Sequence, residues 1–189
     1  MFRFIPREDY KPVPWENGLG MTSDIALFPE GATRQNFDIR VSVAPITADS
    51  FFSLFSGIDR HITLLKGAGL TLAFRSSSLQ LRPLHPVSFD NGEPPFARLV
   101  DGPVEVLNIM TRRGRWTARV EVLRQDANVL IGRNELGIIF VAEGEWIAEG
   151  DGATHTLQSG GTGIVTQPSA MTLSASPPAA AIFARLTLV

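Results

Sequence analysis

The chain has 189 residues, carries 17 Lys and Arg against 19 Asp and Glu, and is 44% hydrophobic. A chain of this size and apolarity buries a real core, and its slightly acidic balance argues against nucleic acid as a main partner. It has no cysteine, which excludes disulfides, thiolate metal sites and a cysteine nucleophile.

The opening residues, MFRFIPREDYKPV, hold no long apolar run and no small-residue cleavage site, so no signal peptide is expected. The longest mainly apolar stretch, PPAAAIFARLTLV, is broken by Arg185 and is too short to span a bilayer. The expectation is a cytoplasmic protein with neither a membrane nor a nucleic-acid partner.

The next feature is WENGLGMTSD, residues 15–24. A phosphate-cradling glycine loop joins a strand to a helix. This one runs instead into IALFPEG, a strand-like segment ending in a turn, and its glycines are spaced differently. The stretch therefore reads as a turn that doubles as a pocket lip, with Asn17 and Thr22 pointing in. Trp15 is either a lid or part of the core.

In FDIRVSVA, Phe37, Ile39, Val41 and Val43 share one strand face, and Asp38, Arg40 and Ser42 the other. If the polar face lines a barrel lumen, Arg40 and Ser42 are ligand residues; if it faces outward, they are solvated. FFSLF follows, where Ser53 is a turn cap or a pocket residue. Then SGIDRHITLL sets Arg60 at the entry to a strand, directly after a turn. A guanidinium there grips a carboxylate with two parallel hydrogen bonds, or pairs structurally with Asp59.

LTLAFR alternates again, with Leu70, Leu72 and Phe74 on one face. In VLNIMT, Asn108 shares strand parity with Val106 and Met110. An amide between apolar residues is costly without a partner, so it bonds a neighbouring backbone or faces a ligand. IFARLTLV closes the series with Ile182, Ala184, Leu186 and Leu188 on one face.

Helical periodicity is scarce. Turn signals recur at Lys66-Gly67, Asn91-Gly92, Asp101-Gly102, Arg113-Gly114, Asp151-Gly152 and Ser159-Gly160-Gly161. The fold class is all-β, a barrel or sandwich. A faint repeat supports two such units. HITLLKGAGLTLAF followed by LQLRPLHPVSF matches, in pattern, GIIFVAEGEWIAEG followed by HTLQSGGTGIV. Two similar barrels are expected, 1–115 and 116–189, joined near TRRGRW. Its Arg112, Arg113 and Arg115 read as a solvated turn.

The second copy, with its EGEW hairpin and glycine-rich LQSGGTGIV, resembles a cupin, a small jelly-roll barrel (double-stranded β-helix). PWENGLGMTSDIALFP, FDIRVSVAPI, FFSLFSGIDRHITLLKGAG and DGPVEVLNIMTRRG, in that order, resemble the HutD/Ves family of bicupins. Against the family pattern, Leu19 replaces a glycine and Ile39 a Trp, Asp24 stands where Glu is common, and Val106 stands where an Asp is usual.

The resemblance implies a bicupin linked to histidine utilisation, with formylglutamate- or urocanate-like carboxylates as ligands and no established catalysis. On it, the expected ligand-binding residues are Arg60, Arg40, Asn17, Thr22, Ser42, Asn108 and Trp15. No metal or other cofactor is expected. His61, His85 and His155 are far apart in sequence and no His-x-His pair exists. Neither a nucleophile elbow nor a paired-carboxylate signature appears, so no catalytic residue is assigned.

Three functions follow. The first is metal-independent binding of a small carboxylate. The second is an isomerase or hydrolase that moves a proton with Asp59, His61 or Glu105. The third is a protein-interaction module. Exposed strand edges also allow a homodimer.

Overall fold

The computed structural model describes residues 1–15 and 20–189. These form nineteen strands and one 3-10 turn, Arg7–Asp9. In chain order the strands are β1 (Phe2–Ile5), β2 (Lys11–Pro14), β3 (Met21–Phe28), β4 (Ile39–Ile46), β5 (Ser50–Phe51), β6 (Ile58–Lys66), β7 (Leu70–Ala73), β8 (Ser78–Leu81), β9 (Val87–Asp90), β10 (Phe96–Leu99) and β11 (Val104–Arg112). They continue as β12 (Trp116–Leu123), β13 (Ala127–Ile131), β14 (Glu135–Glu143), β15 (Glu145–Gly150), β16 (Ala153–Gln158), β17 (Thr162–Val165), β18 (Ser169–Ala175) and β19 (Ala180–Leu188). Each turn signal read from the sequence falls at the end of a strand or between two strands. Among the described residues no helix is long and apolar enough to cross a membrane.

The chain divides into two units, Lys11–Trp116 and Met1–Tyr10 with Thr117–Val189. The tandem pattern puts residues 1–10 in the first barrel. Instead β1 pairs antiparallel with β17, Phe2 opposite Val165 and Ile5 opposite Thr162. Phe2 and Phe4 pack on the second unit's core, and the Tyr10 hydroxyl donates to the Gly160 carbonyl at 2.6 Å. Alternating apolar residues at the chain start thus complete the second barrel, not the first.

The repeat is topological. The N-terminal barrel has a six-stranded sheet, β2-β3-β4-β11-β6-β9, and a four-stranded sheet, β5-β10-β7-β8. The C-terminal barrel has β1-β17-β14-β19-β12 and β13-β18-β15-β16. The two sequence copies are β6 to β9 and β14 to β17, which occupy matching places in their sheets.

The interiors differ. That of the C-terminal barrel is filled by apolar side chains around the wholly buried Trp146, including Ile139, Val141, Leu157, Leu173 and Phe183. In the N-terminal barrel, apolar residues such as Ile62, Leu64, Leu70, Leu72 and Leu81 fill only part of the space. A second small cluster, Phe37, Ile58 and Met110, closes another part. Between them lies a cavity.

A polar cavity in the N-terminal barrel

The cavity measures about 860 Å³. Its back wall is the face shared by β4, β11 and β6. Register sets Arg40 opposite Met110 and Met110 opposite Arg60. The next row is Ser42, Asn108 and Ile62, and the one after is Ala44, Val106 and Leu64. Residues directly opposite in an antiparallel pair point to the same side. Pairing alone therefore brings Arg40, Ser42, Arg60 and Asn108, distant in sequence, to one surface.

Alternation in β4 suggests one wet face and one dry face, but both are buried. Ile39, Val41 and Val43 are buried on one side, Arg40 and Ser42 on the other. The polar side is the cavity side.

Six of the seven expected ligand residues line this cavity: Arg60, Arg40, Thr22, Ser42, Asn108 and Trp15. Asn17 lies outside the described residues. β2 and β3 form a hairpin, Pro14 opposite Met21, which the Trp15 N–H closes by donating to the Gly20 carbonyl at 2.8 Å. A Cβ on Gly20 would meet the Trp15 ring at 3.0 Å, so this glycine is there for close approach of an indole. The indole N–H donates to the Thr22 hydroxyl at 2.8 Å. The two residues form one wall.

Arg40 and Arg60 are both buried and differ in partners. Arg40 donates through Nε to Asp24 Oδ1 at 2.8 Å, and its Nη2 lies 2.6 Å from the same oxygen. Arg34 reaches the other oxygen of Asp24 at 3.4 Å. Burial lowers the Arg40 pKa from its ordinary value, and the Asp24 charge works against that.

Arg60 has no carboxylate within ion-pair range among the described residues, and its buried Nε makes no hydrogen bond. Asp59, the sequence-level alternative partner, pairs with Arg113. The Arg60 guanidinium instead lies over Phe52, 4.8 Å from the ring centroid, with Phe89 at 5.8 Å. Burial, followed by repulsion from Arg40, brings its pKa down to about 9. Asn108 Oδ1 is likewise buried without a hydrogen-bond partner among the described residues.

The three proton-transfer candidates are elsewhere. Asp59, His61 and Glu105 are not among the lining residues. They are one strand position from Arg60 or Val106, and so face the other side of the sheet. Glu105 lies 3.8 Å from Lys66. Burial depresses His61, partly countered by Asp59. His155 stacks on Phe2 in the C-terminal barrel, and His85 lies against the Pro83 carbonyl.

The segment from Ser50 to Ser56 contributes a run of lining residues that sequence reading reduces to Ser53. Its anchor is Asn91, fully buried, whose Nδ2 donates to the Ser53 carbonyl at 2.9 Å. The Asn91 backbone also accepts from Phe55 N–H and donates to Ile58. The only sequence signal for it was a turn dipeptide. Asn91→Ala is expected to cost about 1–2 kcal/mol, with amide hydrogen exchange speeding up first at residues 52–56. Unchanged exchange in that segment would show that Asn91 does not anchor it.

The HutD family model matches residues 7–183. Protein Ves of Citrobacter koseri is 38% identical over 134 residues, covering 70% of this chain and 68% of that protein. Protein Ves of Cronobacter sakazakii is 35% identical over 146 residues, covering 73% and 76%. Among solved structures, a conserved Pseudomonas aeruginosa PAO1 protein of unknown function superposes with a TM-score of 0.89 at 24% identity, over 99% of both chains. HutD from Pseudomonas fluorescens, in a formate condition, gives 0.85 at 24% identity over the whole of both. A cupin barrel protein from Leptotrichia buccalis gives 0.58 at 8% identity, over 89% of this chain and 88% of that one. The fold is a double cupin-like β fold, and the chain belongs to the HutD/Ves family.

Proposed function

We propose that this protein binds a small carboxylate in the N-terminal barrel, without a metal, and serves histidine utilisation as a binding or regulatory protein. The observation that carries the reading is Arg60, a buried guanidinium facing the cavity with no anionic partner among the described residues. Leaving a cation in that condition costs several kcal/mol, and a ligand carboxylate removes the cost by supplying both charge and acceptors. Arg40, held by Asp24, adds positive field beside it. Asn108, Ser42 and the Thr22–Trp15 wall supply polar contacts for the rest of the ligand, and Asn17 is proposed as a further ligand residue.

Binding is favoured over acid–base catalysis by the titratable groups present. Among the described residues, the ionisable side chains lining the cavity are Arg34, Arg40, Arg60 and Arg112. Arginine positions and neutralises anions but is a poor proton carrier near neutral pH. The family's link with histidine breakdown makes formylglutamate and urocanate the first ligands to titrate.

Calorimetry with a panel of histidine-pathway acids tests the proposal. Saturable binding at one site per chain is the expected outcome, and no heat with any small carboxylate would sink it. The pH dependence is a second readout. Arg60 is cationic below its pKa of about 9 and neutral above it. Carboxylate affinity is therefore expected to hold up to about pH 8 and to fall as pH rises through about 9, approaching tenfold per unit. An affinity flat to about pH 10.5 would mean that Arg60 keeps its charge throughout that range.

A further inference from the structure

Resting on the carboxylate reading, we infer that the cavity selects a monocarboxylate carrying an amide and an apolar body, that is, an N-acylated amino acid with an apolar side chain, and that Val106 sets this preference over a diacid.

The buried charges give the first requirement. Arg40 and Arg60 stand against Asp24, and Asp24 is bonded to Arg40. Among the described residues Arg60 is the lining guanidinium without an ion-pair carboxylate, which leaves one open seat for a ligand carboxylate. The other lining arginines, Arg34 and Arg112, are partly exposed and already engaged. Arg34 reaches Asp24. Arg112 donates to Asp38 and to the Phe37 carbonyl.

Asn108 gives the second requirement. Its Oδ1 is buried without a partner among the described residues, on the row next to Arg40 and Arg60. Rows two residues apart along a strand are separated by about 7 Å, within reach of groups on one small molecule. A ligand amide satisfies a carboxamide whichever way its oxygen and nitrogen are turned, because it offers both a donor and an acceptor.

Val106 gives the third. It lies on the following row beside Ala44 and is 1% exposed. Ile46, Trp15 and Phe52 extend the same apolar lining. A second carboxylate on this row finds no cation among the described residues and loses its hydration, whereas an aliphatic side chain is buried favourably.

The test is calorimetry of the full chain with N-acetyl-leucine and N-acetyl-glutamate, whose side chains are similar in size and differ in charge. N-acetyl-leucine is expected to bind at least tenfold more tightly. Equal or tighter binding of N-acetyl-glutamate overturns the inference and leaves the carboxylate reading standing. No binding of these two, of acetate or of the histidine-pathway acids overturns that reading and this inference with it.

Two variants test Val106. Val106→Lys places a cation on the apolar row and is expected to reverse the preference. Val106→Thr keeps the shape and adds one hydroxyl, so it folds more readily; the ratio between the two ligands is expected to shrink at least threefold. A ratio unchanged in folded Val106→Thr overturns the role given to Val106.

Discussion

Arg60→Met is expected to make the protein more stable while removing its ligand binding. The unfolding free energy should rise by about 2 kcal/mol, and the melting temperature by roughly 4–8 °C. Carboxylate affinity should fall at least 100-fold, as befits loss of a buried charge-assisted contact. The reasoning starts from desolvation. Arg60 is buried and its Nε has no partner among the described residues. The Phe52 and Phe89 rings return part of the cost by cation–π attraction, about 0.5–2 kcal/mol. Burial of an ammonium- or guanidinium-sized charge costs several kcal/mol even after relaxation, so the balance stays unfavourable.

Methionine keeps an unbranched stem of similar reach and touches the same rings through sulfur. It therefore removes the charge without opening a large cavity. Arg60→Lys gives the complementary result: the charge stays, the two-pronged geometry is lost, and affinity drops roughly tenfold with no gain in stability. Thermal or denaturant unfolding beside calorimetry reads both quantities. If Arg60→Met instead loses more than about 1 kcal/mol with ligand binding intact, Arg60 is a structural residue and the cavity reading fails.

The same physics explains what sequence alone could show. Period-two alternation and glycine-bearing turns carry the all-β class, because strand faces and turn conformations are local properties. The repeat carries the doubling, since β6 to β9 and β14 to β17 hold equivalent sheet positions. Arg60 and Asn108 stood out because each is a polar residue at a place where strands bury their side chains. The place of β1 was not legible, because Phe2 and Phe4 declare an apolar face but not the distant partner β17 that covers it.

Which side of β4 is wet was not legible either, since both sides are buried. The aromatic bed of Arg60 depends on Phe52 and Phe89 meeting across non-local pairings. The separation of Asp59, His61 and Glu105 from the cavity is legible in the strand pattern itself, because a residue adjacent in a strand to a cavity residue points away from the cavity.

Asp24→Ala is expected to be the most destabilising single change at the site and, at the same time, to strengthen carboxylate binding. Asp24 and Arg40 are both buried and joined by short contacts of 2.8 and 2.6 Å. Removing one member of such a pair leaves an uncompensated charge and typically costs 3–5 kcal/mol. Here the cost falls in a barrel that already holds Arg60 unpaired, so two guanidiniums would repel across the cavity. That repulsion enters Arg60's lowered pKa even with Asp24 present. The same change frees Arg40 for a ligand anion, and affinity should rise about tenfold if the variant is assayed below its melting temperature.

The ligand then stabilises Asp24→Ala more than it stabilises the parent, a linkage readable as a larger ligand-induced shift in melting temperature. Asp24→Ala combined with Arg40→Met removes both charges and should recover most of the lost stability without the gain in affinity. A cost below about 1 kcal/mol for Asp24→Ala would mean that Arg40 finds water or another acceptor once Asp24 is gone. In that case the cavity tolerates unpaired guanidiniums cheaply, and the stability gain expected of Arg60→Met should shrink with it. The two variants therefore test one quantity from opposite sides, the cost of a buried positive charge in this barrel.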